Sequence, residues 1–449
     1  MPIAKGYLPF AKSLLLKNKS KNIFITFICM NEKLLQYLWN YKLFTLHDLK
    51  DVKGNPIEIL NFGAWNHHAG PDFLEGKIRI EQLQLFGNIE LHLRSSDWIF
   101  HQHTQNTAYD NIILHVVYLH DVAIPELEEK GIPTLELKNY ISPETIQKYQ
   151  HLNSNAQFIP CERLLPHHEI PFQFAEEFLL KKLDEKSSFI QEILAQQKND
   201  YEATLFQALA YAFGLKINAP IFQQLFAQLP FSVIRKVHHR LEQIEALFYG
   251  TAGWLTEAYD DAMQKWKREY EFLVNKYQLP AITIAPKFLR LRPPNFPTLR
   301  LAQFAQLLHQ YPSLFTTLIE TKKISDIKTL FSDIQASSYW DNHYNFGKPT
   351  EKTSPKKLTS DFIDLLLLNA ILPVKYTYLK NLKEDAAESI LEDYVQIAAE
   401  KNSVTHLFSS LGIPMNSAID SQAFLYLHKN YCTQKKCLDC SIGYQILKI

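Results

Sequence analysis

Neither sign of charge predominates in this chain: lysine plus arginine and aspartate plus glutamate both number 47, so the formal net charge is zero. That balance excludes a dedicated nucleic-acid coat, which carries a clear basic excess, but leaves room for an enzyme with a local basic groove. Glycine is scarce, 13 in 449 residues, and cysteine scarcer still, at five. Such usage argues against a repetitive fibrous chain or a disulfide scaffold, and the expected compartment is reducing and cytoplasmic. No long apolar run is present either. The best one, Phe362 to Val374, is broken by Asp364, Asn369 and Pro373 and falls short of the about 20 residues a membrane span needs. No membrane association is expected.

What the chain does have is 46% apolar and 13% aromatic residues, enough for a substantial core. Its length exceeds what one hydrophobic core usually holds. Composition divides it into an N-terminal extension (1–29), a first domain (30–160), a helical domain (161–425) and a cysteine-rich tail (426–449). In the extension, Lys12, Lys17, Lys19 and Lys21 precede a short apolar run, Ile23 to Met30, in the manner of a signal peptide. Asn31-Glu32 follows where a small-residue cleavage site belongs, so the expected start of the folded chain is Met30.

The chemistry is expected around Gly70-Pro71-Asp72-Phe73 and, eighteen residues after Asp72, Glu90-Leu91-His92. A strand from Asp72 to Ile80, a second from Leu83 to Arg94, a helix from Ser96 to His103 and an apolar strand from Asn111 to Leu119 follow from the pattern. Period-two alternation puts Glu90, His92 and Arg94 on one face of their strand and leaves Ile89, Leu91 and Leu93 to pack. Two acids at neighbouring strands are suited to Mg²⁺ or Mn²⁺. In residue order and element order this stretch resembles the PD-(D/E)XK, restriction-endonuclease-like nuclease core, with Asp72 as its first acid and Glu90 as its second. His92 stands where that motif has lysine; it can orient or deprotonate water but is not a permanent cation. The resemblance implies an α+β fold, with a mixed-sheet nuclease-like core followed by a large, mainly helical region.

Further candidates surround the motif. Glu32 opens an amphipathic first helix with Leu34, Leu35, Leu38 and Trp39 on its apolar face, and can lend a third acid. Asp97 and His101, four apart, with His103 and His115 suggest a second site of Zn²⁺ or Mn²⁺ type; alternatively His92 and His115 meet across neighbouring strands. Glu136-x-Lys138 is a rival for the second half of the motif. At the C-terminus His428, Cys432, Cys437 and Cys440 have the spacing of a Zn²⁺ site, and Cys161 is an alternative fourth ligand. With Cys161 an Fe–S cluster is also open, since some nucleases of the resembled superfamily carry one.

From Pro171 to about Tyr277, leucine, phenylalanine and alanine recur at three and four, as in a helical bundle. Basic and aromatic residues then alternate between Lys287 and Arg300. They offer either a nucleic-acid groove, in which Arg292 and Arg300 would join Arg94 as substrate contacts, or a rigid loop before a helix begun at Pro297.

Beyond the motif, the chain resembles an uncharacterised bacterial domain-of-unknown-function family over nearly all its length from Met30. The resemblance rests on 69–73, 87–103, 109–117, Arg290-Leu291-Arg292-Pro293, Asn295-Phe296-Pro297 and Cys437-Leu438-Asp439-Cys440-Ser441-Ile442-Gly443. That family brings no activity with it, so function must be argued from the site. The leading expectation is a metal-dependent phosphodiesterase acting on DNA or RNA. A catalytically silent nuclease-like fold that binds protein or nucleic acid is the alternative, and an enzyme built on the histidines is a third. A protein partner or a homo-oligomer is open.

Overall fold

The computed structural model describes residues 30–103, 106–154, 158–171, 173–280 and 284–448; the expected N-terminal extension lies outside them. The chain divides into two compact units: residues up to Pro171 together with those from His428 onward, and Phe172–Leu427. The cysteine-rich tail therefore belongs to the first unit and does not stand apart. Tyr444 packs on Tyr41 with ring centroids 5.0 Å apart, Lys33 pairs with Asp439 at 3.3 Å, and Lys435 Nζ donates to the Asn153 carbonyl at 2.8 Å.

The first unit is a mixed sheet with few helices. Helix α1 (Glu32–Asn40) starts at Asn31, whose side chain accepts the Leu34 N–H at 2.8 Å, and it buries Leu34, Leu35, Leu38 and Trp39. Strands β1 (Ile57–Asn61), β2 (Ala64–Trp65), β3 (Phe73–Ile80), β4 (Leu83–Arg94), β5 (Ile112–Leu119) and β6 (Thr134–Glu136) follow. The sheet order is β1-β3-β4-β5-β6, with β2 paired to β3. Pairings β1–β3 and β3–β4 are antiparallel; β4–β5 and β5–β6 are parallel. β5 is buried along nearly all its length and lies between β4 and β6, as a continuously apolar strand must.

Two local features aim the functional residues. The β3–β4 register shifts between Phe73 and Gly76, with Glu75 at φ 60°, and Phe73 is left opposite Ile89. Such a bulge re-aims the end of a strand, and here Asp72 arrives beside Glu90. Gly76 faces Gly87 in this ladder; a Cβ on Gly76 would lie 2.6 Å from Ile89 Cδ1. The second feature is the β4–β5 connection. The expected helix from Ser96 to His103 is shorter, a single turn α2 (Asp97–Phe100), followed by a 3₁₀ turn at Thr107–Tyr109. Ser96 makes no capping bond at α2. Its hydroxyl and that of Ser95 donate to the two oxygens of Asp121, beyond the end of β5, which pins the connection over β4.

The second unit is helical. Phe304, in helix Pro297–Gln310, lies among the rings of Phe206, Phe213, Phe226 and Phe248 at centroid distances of 4.8–5.7 Å. Pro297 opens that helix, so the basic, proline-rich stretch is a rigid lead-in. The apolar run at 362–374 is not interrupted as its sequence suggested. A helix runs continuously over Ser360–Asn381, with a π turn at Leu367–Ile371 just before Pro373. The widened turn accommodates a residue that has no N–H to give. By length and composition this helix could cross a membrane, but 67% of its apolar window is buried inside the unit, so it is a core helix.

Candidate metal centre

The polar face of β4 is covered, contrary to the expectation of a free face. Glu90, His92 and His115 are only 5%, 1% and 0% exposed. The lid is the β4–β5 connection: Trp98 lies edge-on to His92, His103 and His115, and the Tyr109 ring lies 3.9 Å from that of His103. Asp72 and Glu32 are half-buried and His101 is exposed, so the cluster opens on that side.

Three imidazoles converge. His92 Nε2 is 3.2 Å from His101 Nδ1 and 3.2 Å from His103 Nε2. Glu90 Oε1 is 3.3 Å from His103 Nε2 and 3.7 Å from His92 Nε2. Donors held at about 2.0–2.1 Å around one tetrahedral ion stand about 3.3 Å from one another, which the two His92 separations match; Glu90 lies beside His92 and His103 but outside the three-histidine group. Among the described residues, the donor nitrogens of His92, His101 and His103 form a group lying within 4.8 Å of one another.

Electrostatics leave the nitrogens available. Burial drives His92 down to about 2, with His115, His103 and His101 adding to the effect, and drives His115 down to about 3. Both rings are neutral, and the His92 contact with Glu90 is not an ion pair. His92 Nδ1 lies 2.9 Å from His115 Nε2. If Nδ1 carries the proton, the lone pair of Nε2 points at the other two imidazoles, which is the usual arrangement around a ligating histidine.

The carboxyls are displaced the other way. Burial raises Glu90 to about 8, opposed by its bond from the Asp72 N–H, with Glu32 adding to the rise. Burial and the nearby Glu90 charge raise Asp72 to about 7. Asp72 is held by Gln36 Nε2 on Oδ1 at 2.7 Å and the Leu91 N–H on Oδ2 at 3.0 Å. Burial also raises Glu32, with His101 opposing. Two carboxyls are thus crowded in a place where, among the described residues, no permanent cation is bonded to either, a situation a divalent ion would relieve.

The remaining predicted residues fall elsewhere. Asp97 is not drawn into the histidine group; its Oδ2 caps the Arg94 N–H at 2.9 Å. His115 sits behind His92, as the cross-strand alternative had it, and not with Asp97 and His101. Arg94 is exposed at the end of β4. Arg292 and Arg300 lie in the other unit, and Arg300 is unsuited to substrate: it is buried, donates to Asn295 Oδ1 at 2.6 Å and Gln303 Oε1 at 2.8 Å, and covers the Phe362 ring at 3.5 Å. Glu136 lies on β6 and Lys138 just past it, and the two carry none of these contacts. His428 packs on Phe158 at 4.0 Å and is bonded to its backbone. Sequence reasoning missed Gln36 and Tyr109. Gln36 is four residues after Glu32 on α1, a spacing that shares a face, whereas nothing in the sequence marks Tyr109.

A small mixed-sheet unit with a buried histidine–carboxylate cluster is thus joined to a larger helical unit. The chain belongs to the family described as "Protein of unknown function (DUF2851)", whose model matches residues 32–403. No curated protein and no solved structure matches it.

Proposed function

We propose that the first unit is a metal-dependent hydrolase of phosphodiester bonds in DNA or RNA, with His92, His101, His103 and Glu90 as ligands. The convergence of three imidazole nitrogens, with the Glu90 carboxyl beside two of them, carries this reading. The choice of a phosphodiester draws on element order: α1, antiparallel β1, β3 and β4, a crossover, then parallel β5. That order resembles the one expected of a PD-(D/E)XK core, in which Asp72, just before β3, and Glu90, on β4, would be the two acids.

The donor set favours Zn²⁺ or Mn²⁺ over Mg²⁺, because imidazole suits the former two and Mg²⁺ keeps to oxygen. Such an ion, when bound, supplies Lewis acidity and a water acidic enough to attack at neutral pH. His92, bonded to His115 behind it, serves as a ligand and not as the base. Asp72, half-buried and oriented by Gln36 and the Leu91 N–H, would serve as the general base.

The test uses the full chain loaded with Mn²⁺ or Zn²⁺ and offered end-labelled single-stranded DNA, duplex DNA and RNA. Wild type is expected to cleave at least one of them. Asp72→Asn should keep the metal and lose activity by roughly 10²–10⁴-fold, whereas Glu90→Gln should weaken both. Metal binding without cleavage of any substrate would reject the hydrolase. The silent binding module would then be preferred, a reading favoured by one observation: the residue in the motif's lysine position, His92, is neutral.

A further inference from the structure

We propose that a cleft in the helical unit binds a free long-chain carboxylate, its alkyl chain among aliphatic side chains and its head group at Lys186 and Lys216. All the lining residues belong to Phe172–Leu427, and the inference does not rest on the hydrolase reading.

The cleft has a volume of about 650 Å³, within the range of small-molecule sites. Packed helices ordinarily leave few voids larger than a water molecule, so an opening of this size needs a cause. Two irregularities supply it. Helices Tyr201–Phe213 and Leu215–Ala227 do not run into each other; Gly214 alone separates them, and Leu215 adopts φ 54°. On another wall, the π turn Leu367–Ile371 brings Asn369 to the cleft beside Pro373. Such turns inside α-helices frequently lie at functional sites. Helix Phe174–Gln196 supplies a third wall. Ile190, Ala212, Leu215, Ala219, Leu365 and Pro373 make the lining mainly aliphatic. Aromatic rings enter it only as Phe189 and Tyr211, which pack on one another with centroids 5.9 Å apart. Such a wall suits a saturated chain.

The polar lining identifies the other end of the ligand. Lys186 Nζ donates to the Leu368 carbonyl at 2.9 Å and to Asn369 Oδ1 at 3.0 Å. Pro373 has no N–H to give the Leu368 carbonyl at π spacing, so the lysine is drawn to that wall. Both acceptors are neutral: they fix the ammonium in place without cancelling its charge. Asn369 Nδ2 donates to the Leu365 carbonyl at 3.0 Å, which fixes the amide as well. Lys216 is exposed at the rim and forms no ion pair among the described residues. Glu185 is the one carboxyl of the lining, and its Oε1 accepts the Tyr426 hydroxyl at 2.5 Å. Two lysines against one glutamate leave a single net positive charge, which matches a monoanion; a dianionic phosphate would be overcompensated beside Glu185. Lys216, Pro220 and Asn369 are all exposed, so the mouth is open to solvent.

The experiment titrates the full chain with cis-parinaric acid, a fluorescent polyene carboxylate, and competes it with dodecanoate and with dodecanol. Wild type should bind one equivalent. Dodecanoate should displace it at least about 10-fold more effectively than dodecanol, the factor a charge-assisted contact supplies. Lys186→Gln combined with Lys216→Gln should lower dodecanoate to the level of the alcohol and leave dodecanol unchanged. Gln223→Trp, which places an indole in the cleft from its half-exposed wall, should weaken both by at least about 10-fold. Absence of binding in wild type, equal binding of acid and alcohol, or a Gln223→Trp chain that binds like wild type would each overturn the proposal. So would capture by phosphatidylcholine vesicles in preference to dodecanoate. Should Lys186→Gln fail to fold, Lys216→Gln decides alone. It should weaken dodecanoate by about 3-fold without moving dodecanol, and an unchanged ratio would overturn the head-group assignment.

Discussion

His92 bonds His115 through Nδ1, at 2.9 Å, and turns Nε2 towards His101 and His103, each at 3.2 Å. One ring thereby links the sheet interior to the histidine cluster. Because His115 Nε2 faces His92 Nδ1, it fixes which nitrogen is left to bind. Replacing His115 with leucine removes that partner while keeping an apolar filling in a wholly buried position. Zn²⁺ or Mn²⁺ affinity is expected to fall by roughly 10–100-fold with stoichiometry unchanged, as for other partners of ligating histidines. Calorimetry measures both. Unaltered affinity would mean that packing against Trp98 orients the ring without His115.

Strand positions were legible because alternation and apolar runs are local. β3, β4 and β5 fall within a residue of where their pattern put them, and Asp72, Glu90 and His92 do come together. What could not be read is what covers β4. Its alternation is that of a half-exposed strand, yet the connection carrying Trp98, His103 and Tyr109 folds over the polar side, held by Ser95 and Ser96 on Asp121. Tertiary packing of this kind leaves no period in the sequence. The histidines at 101 and 103 also share no helical face, since α2 ends at Phe100; a turn, not a helix, aims them at His92.

Arg300 illustrates the opposite error, in which composition suggested a surface role for a core residue. The residue is 5% exposed, and its guanidinium is bonded to Asn295 and Gln303 and stacked over Phe362. Arg300→Ala should destabilise the helical unit by about 2–4 kcal/mol, since it strands two buried acceptors and removes a desolvated cation–π contact. Arg292→Ala, on the surface, should stay within about 0.5 kcal/mol of wild type. Urea unfolding distinguishes the two. Equal stabilities would mean that the Arg300 site closes without cost.

Glu245 should make the helical unit sensitive to pH. Ser337 and Tyr249 hydroxyls donate to its Oε1 at 2.6 and 3.1 Å. Burial raises the carboxyl from 4.5 to about 7, against those bonds and one from Trp266, with Glu242 adding to the rise. The folded state then holds the proton more tightly than the unfolded chain. Its stabilisation is full below about pH 4.5 and is lost as pH rises through 7. Glu245→Gln cannot ionise and keeps an acceptor for both hydroxyls. Between pH 5 and 8, wild type should lose roughly 2–3 kcal/mol relative to this variant in urea melts. Parallel curves would show that the carboxyl ionises at its ordinary value. Taking the difference between the chains removes other titrating groups from the comparison.

Gly250 sets two effects of opposite sign against each other. It lies in helix Leu241–Thr251, where alanine would ordinarily gain about 1 kcal/mol. Any Cβ there, however, would overlap Cγ, Cδ1 and Cδ2 of Tyr270, on helix Asp261–Tyr277. The glycine is what allows that ring to lie flat against the neighbouring helix. Overpacking typically costs 1–3 kcal/mol, so sterics should win and Gly250→Ala should destabilise by roughly 1–2 kcal/mol net. Tyr270→Ala, which removes the obstructing atoms beyond Cβ, should relieve that clash in the double variant, leaving a favourable coupling measurable in a thermodynamic cycle. If Gly250→Ala alone is more stable than wild type, the half-buried Tyr270 swings aside freely, and the ring does not lock the two helices together.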